Sequence, residues 1–129
     1  MSSFSLGSAL RQYRQVNTEI GVATASPHRL IQMLFEGALE RLASAKGHLQ
    51  RNEIASKGEQ IGKAINIIGG LHDSLNLEAG GELARNLDVL YDYMQRRLLQ
   101  ANQKSDPAVL DEVAGLLREL KAGWDAIAS

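Results

Sequence analysis

Cysteine is absent from this chain of 129 residues. That excludes disulfides, thiol catalysis and cysteine-based zinc sites, and it is compatible with a reducing compartment. Proline occurs only twice. Pro27 follows Ser26 and Pro107 follows Asp106, so each prefers the first turn of a helix and neither interrupts one. Aromatic residues make up 5% of a chain that is 44% hydrophobic, so the core has to be built from Leu, Ile, Ala and Val. Neither sign of charge dominates. Fourteen Lys and Arg face 15 Asp and Glu, for a net charge of -1, and the basic excess of a nucleic-acid binder is missing. No apolar run approaches the ~20 residues of a membrane span. The first residues, Met1 to Ser8, lack the basic-then-apolar layout of a signal peptide. These absences leave a soluble, intracellular, single-domain protein as the expectation.

What the chain does have is helical periodicity. Four long segments carry apolar residues in steps of three and four. The first, after Ser26-Pro27, reads Ile31, Leu34, Phe35, Ala38, Leu42, Ala45 and Leu49. The second, from about Glu53, reads Ile54, Gly58, Ile61, Ile65, Ile68, Leu71 and Leu75. The third, entered through Gly80-Gly81, reads Leu83, Leu87, Leu90, Tyr91, Met94, Leu98 and Ala101. The fourth, after Asp106-Pro107, reads Leu110, Val113, Leu117, Leu120, Trp124 and Ile127. Short polar breaks separate them, and short connections favour antiparallel neighbours. No alternating strand pattern competes. The spacing predicts an all-α, antiparallel up-down-up-down four-helix bundle over 24–129. A mobile N-terminal segment is expected over 1–23, where Leu10, Tyr13, Val16 and Ile20 form a narrow stripe. So short an amphipathic helix needs a surface to lie on, and it is expected to pack on the bundle.

Catalytic and metal chemistry find little to stand on. A bundle di-iron site needs Glu-x-x-His pairs, but Ala25, Ala45 and Gly69 precede His28, His48 and His72 by three residues. A histidine phosphotransfer bundle is the alternative class. His72, however, falls on the core face of its helix, and no histidine is followed by the Lys-Gly common after a relay histidine. Gly80-Gly81-Glu82 lacks the lysine and glycine spacing of a phosphate loop. The pair Arg96-Arg97 reads as a solvated face. No serine has a matched histidine and carboxylate. The expectation is a protein without enzymatic activity, cofactor or metal.

Apolar residues off the core stripes remain: Leu39, Ile67, Val89 and Tyr93, with the N-terminal Leu10, Tyr13, Val16 and Ile20. Singly, exposed apolar residues are ordinary. Together they suggest grooves that receive helices of another polypeptide.

Several stretches closely resemble the FliS family of flagellin-specific flagellar secretion chaperones. They are Ala25-Ser26-Pro27-His28-Arg29-Leu30-Ile31-Gln32-Met33-Leu34-Phe35-Glu36-Gly37-Ala38, then Lys63-Ala64-Ile65-Asn66-Ile67-Ile68, then Gly80-Gly81-Glu82-Leu83-Ala84-Arg85-Asn86-Leu87 running into Leu90-Tyr91-Asp92-Tyr93-Met94-Gln95-Arg96-Arg97-Leu98. Glu112-Val113 and Trp124 follow in order, and the likeness covers the chain from about Tyr13 to Ile127. The resemblance implies a cytoplasmic, non-enzymatic export chaperone that is a monomer or weak homodimer when free. It implies that the disordered C-terminal segment of flagellin becomes helical in apolar grooves, which prevents premature polymerisation. On that reading Leu39, Ile67, Val89, Tyr93 and Arg97 are the candidate groove residues. Leu10, Tyr13, Val16 and Ile20 would cover the groove or dock to the membrane protein of the flagellar export gate. Gly69-Gly70 departs from the expected family pattern, where more helix-favouring residues are usual.

The second helix holds Gly58, Gly62, Gly69 and Gly70, and each interior glycine costs roughly 1 kcal/mol of helix propensity relative to alanine. It is therefore expected to be the softest of the long helices, with the fastest amide exchange of the four. Slowest exchange in that helix would refute the expectation.

Overall fold

The computed structural model describes residues 25–127. They form four helices: α1 (Pro27–Gln50), α2 (Ile54–Asp73), α3 (Leu77–Lys104) and α4 (Pro107–Asp125), with no strand among the described residues. The all-α bundle read from the periodicity is what is observed. The expected N-terminal helix with Leu10, Tyr13, Val16 and Ile20 lies outside the described residues.

Local chemistry explains the helix ends. The Ser26 hydroxyl accepts from the Arg29 amide at 3.1 Å and Pro27 opens α1. An Asp106 carboxylate oxygen accepts from the Ala108 amide at 3.0 Å ahead of Pro107. Single left-handed residues turn the chain out of α1 and α3, Asn52 at φ 59 and Ser105 at φ 49, as helix termini commonly require. With connections this short each helix runs back along its predecessor. α1 packs against α2 and α4, and α3 packs against the same two, which closes the ring.

The core is the sum of four stripes. It contains Leu34, Phe35, Ala38, Leu42 and Ala45 from α1, and Ile61, Ala64, Ile68 and Leu71 from α2. Tyr91, Met94, Leu98 and Ala101 come from α3, and Val109, Leu110, Val113, Ala114 and Leu117 from α4. Each large aliphatic side chain so buried is worth ~1.5–3 kcal/mol before chain entropy is set against it.

Three stripe residues depart from the pattern. Leu83, Ile54 and Ile127 are 70%, 54% and 55% exposed. Ile54 opens α2, Leu83 follows a break in α3 at Gly81, and Ile127 lies just beyond α4. Periodicity identifies the inward face of a helix, but not where the neighbouring helices stop covering it. Conversely, Lys57, one turn into α2, is only 2% exposed. Its ammonium donates to the Asn102 carbonyl at 2.8 Å and the Ser105 hydroxyl at 3.1 Å.

α3 is not one continuous rod. Gly81, at φ 60 and ψ -138, breaks the helical path, a conformation open essentially to glycine alone. Gly62, in contrast, has helical geometry, and a Cβ built on it meets nothing within 4 Å. Gly62→Ala should therefore stabilise the bundle by about 0.5–1 kcal/mol in urea denaturation, whereas Gly81→Ala should destabilise it by a similar or larger amount.

Candidate partner-binding groove

At the end of the bundle where α1 and α3 begin and α2 and α4 finish, the stripes splay around a groove of about 770 Å³. Its floor is Phe35, Leu71, Ala84 and Tyr91, all buried. Ile31, Leu75, Leu87, Leu120 and Trp124 form half-buried walls, and the exposed Leu83 and Ile127 form the rim. Ser74, Asn76 and the polar ends of Tyr91 and Trp124 interrupt an otherwise apolar lining. All four helices contribute, which is a common way for bundles to build binding sites.

Two polar clamps hold the walls. Between α1 and α4, the His28 and Trp124 rings stack with centroids 4.9 Å apart and planes 13° apart. The Trp124 indole N–H donates to the His28 carbonyl at 3.0 Å, and His28 Nε2 lies 2.9 Å from the Trp124 carbonyl, so it carries the proton there. Beside this clamp Gln32 donates to Asp125 at 2.7 Å, and Lys121 donates to the other oxygen of the same carboxylate at 2.6 Å. Those contacts, Lys121 first, hold the Asp125 carboxyl below the usual range.

Between α2 and α3, His72 Nε2 lies 2.5 Å from Asp88 Oδ1 and Nδ1 lies 3.2 Å from Gln95 Oε1. The Tyr91 ring stands 6.0 Å from the imidazole. Burial pushes the Tyr91 phenol up to about 12, so it stays protonated on the groove floor. Both nitrogens of His72 are engaged, so neither is free to accept a phosphoryl group. Among the described residues no cluster of His, Cys, Asp or Glu could hold a metal ion.

The candidate residues from the sequence do not gather in this groove. Val89 is 67% exposed on α3, one turn before Tyr93. Tyr93 is half-buried and its hydroxyl donates to Glu112 of α4. Arg97 donates to the same carboxylate at 2.9 and 2.8 Å through Nε and a terminal nitrogen. Val89, Tyr93 and Arg97 thus share the α3–α4 seam. The Glu112 bond pushes the Tyr93 phenol up, and the bonds from Tyr93 and Arg97 hold the Glu112 carboxyl down. Leu39 is half-buried on the flank of α1 whose Gln32, Glu36 and Lys46 reach α4. Ile67 is half-buried on the flank of α2 whose Gln60 meets Arg41 of α1. These five residues therefore occupy three seams. The end groove is built instead from residues assigned to the core, and the clustering of Leu83, Leu87, Leu75, Trp124 and Ile127 at one end of their stripes was the available signal.

Among the described residues no helix is long and apolar enough to cross a membrane. The family model described as Flagellar protein FliS matches residues 9–129. The flagellar secretion chaperone FliSB of Pseudomonas aeruginosa is 57% identical over 119 residues, covering 92% of this chain and 94% of that protein. The flagellar secretion chaperone FliS of Salmonella typhimurium is 49% identical over 121 residues, 93% of this chain and 90% of that protein. Its counterpart from Vibrio cholerae is 45% identical over 119 residues, 92% and 88%. The chain belongs to the FliS family, a family of flagellar secretion chaperones and not of enzymes.

Proposed function

We propose that this bundle is a cytoplasmic export chaperone for flagellin. It takes up the disordered C-terminal segment of flagellin as helix, prevents premature polymerisation and aids delivery to the flagellar type III export gate. The observation that carries the reading is the preformed apolar groove at the bundle end, in a chain of the secretion-chaperone family. A segment whose amphipathic helices are made to pack on copies of themselves is an aggregation hazard until its apolar face is covered. An open groove walled by Leu75, Leu83, Leu87 and Trp124 offers that cover. Ordering the segment costs entropy, so a broad contact and moderate affinity are expected.

The contact we infer begins in the end groove and continues along the α3–α4 seam past Val89, Tyr93 and Arg97. Leu39 and Ile67 add apolar surface on the seams either side of α1. α1 starts beside the groove, with Ile31 and Phe35 in its lining. The chain before Ala25 therefore joins the bundle at the place that Leu10, Tyr13, Val16 and Ile20 would need to reach in order to cover it. Docking to the export-gate membrane protein through Leu10 and Tyr13 is the second part of this proposal.

Co-purification with full-length and C-terminally truncated flagellin tests the partner directly: capture of the full-length protein alone is expected. Because Leu83 and Val89 are 70% and 67% exposed, Leu83→Asp and Val89→Asp should leave the fold intact. Each should weaken flagellin binding about tenfold or more in calorimetry, the scale of losing one well-buried apolar contact. Unchanged affinity in the folded variants would refute the placement. Tyr13→Ala should spare flagellin binding and impair motility, and normal motility would count against a role in delivery.

A further inference from the structure

The α3 wall of the groove is only partly buried: Leu87 and Leu90 pack against the core but stay half-buried. Between Gly80 and Leu90 only Ala84 is buried, and the non-helical Gly81 separates these turns from the residues before them. His72 ties this part of α3 to α2 through Asp88. Its neighbours along the chain, Leu71 in α2 and Leu75 just beyond it, line the groove. Leu87 and Tyr91, on either side of Asp88, line it from α3.

We propose that His72 is a positioning residue for the groove: its protonated ring latches the α3 wall through Asp88 and Gln95, and the hold on a helix in the groove weakens when that proton is lost. The second half rests on the reading of the groove as the flagellin site.

The geometry favours the charged ring. Both nitrogens face oxygens, Asp88 Oδ1 at 2.5 Å and Gln95 Oε1 at 3.2 Å, and only an imidazolium has two N–H donors. A neutral ring can serve Asp88 through Nε2, but it loses the charge-assisted bond and must turn the Gln95 amide over to keep the other. The charges around the ring agree. Asp73 adjoins it on α2, and Asp88 faces it from α3. Asp92, one turn on, is neutralised by Arg96 at 2.9 Å. Among the described residues, Arg41 of α1 bonds α2 at Gln60, about three turns away from the ring. Partial burial pulls the imidazole down, but the bonds to Asp88 and Gln95 and the charges of Asp88 and Asp73 outweigh it and hold it above 6.5. A raised histidine stabilises the folded form fully below its unfolded value and loses that contribution as pH rises through the folded value. The latch is therefore complete in mild acid and released on the alkaline side of the ordinary histidine range.

The test uses the full chain. The His72 ring is titrated by NMR, and amide protection over residues 82–91, corrected for chemical exchange, is followed from about pH 6 to about pH 8.5. Protection should fall about three- to tenfold with the inflection of His72, a coupling of the size one proton-linked contact supplies. His72→Gln and Asp88→Asn should show the low value at every pH. Flat protection in the unmodified chain overturns the latch. Affinity for a synthetic peptide of the flagellin C-terminal region should weaken over the same interval and by a similar factor. Affinity independent of pH, with protection following His72, overturns the link between latch and groove. No peptide binding at any pH, with protection still following His72, overturns the flagellin reading of the groove and leaves the latch standing.

Discussion

One buried ammonium fixes the geometry of this bundle. Lys57 is 2% exposed, and a charge taken out of water must be satisfied where it lies. Its partners are the Asn102 carbonyl and the Ser105 hydroxyl. The first belongs to the last turn of α3, where unpaired carbonyls and the negative end of the helix dipole favour a cation. The start of α2 is thereby tied to the end of α3. Gly58 lies beside Lys57, and a Cβ there would stand in ordinary contact, 3.4 Å from Asn102 Oδ1. Ala45 and Ala101, both fully buried, keep that half of the core narrow. The left-handed Ser105 then turns the chain into α4.

The other end is open. Its groove is lined by Phe35, Leu71, Leu87, Tyr91 and Trp124 together with the small Gly80, Ala84 and Gly123. The inward stripes also continue past the point where neighbouring helices cover them. Leu83 lies on the core face of α3 and yet remains 70% exposed. The groove is thus the open end of stripes that outrun their cover, with its walls held by polar clamps at their edges. The reciprocal bonds of His28 and Trp124 serve one wall. His72 with Asp88 and Gln95 serves another.

Much of this was legible in the residues. Steps of three and four marked all four helices. Ser26-Pro27 and Asp106-Pro107 marked two starts closely, because a capping side chain followed by a pre-set φ has one natural place in a helix. The core interior was legible for the same reason: Leu34, Leu42, Ile61, Ile68, Met94, Leu98 and Leu117 sit mid-helix, where a face of known direction is bound to be covered. The ends were not. Ile54, Leu83 and Ile127 obey the same period but stand where coverage depends on how far the other helices extend. Lys57 was hidden because a lysine in an apolar stripe announces nothing until the acceptor at the far end of another helix is in place. Off-stripe apolar residues drew attention to Leu39, Ile67 and Val89, whereas the concave surface is formed by on-stripe residues. Concavity is a relation among four helices and has no signature in any one of them.

On the proposed function, the protein holds an unfolded segment and later surrenders it, and those demands oppose each other. A rigid groove lowers the ordering cost on its own side and leaves only the incoming segment to be ordered. Complete rigidity would make release slow. In this bundle the two demands fall at different places. The end opposite the groove is tied by Lys57, which joins the start of α2 to the end of α3. The turns of α3 after the Gly81 break, with Ala84 the one buried residue from Gly80 to Leu90, rest on few buried side chains. Elements of that kind are the ones free to move without unfolding the rest. Any adjustment of grip therefore falls on the α3 wall, where side chains that line the groove sit beside the few polar contacts that hold it.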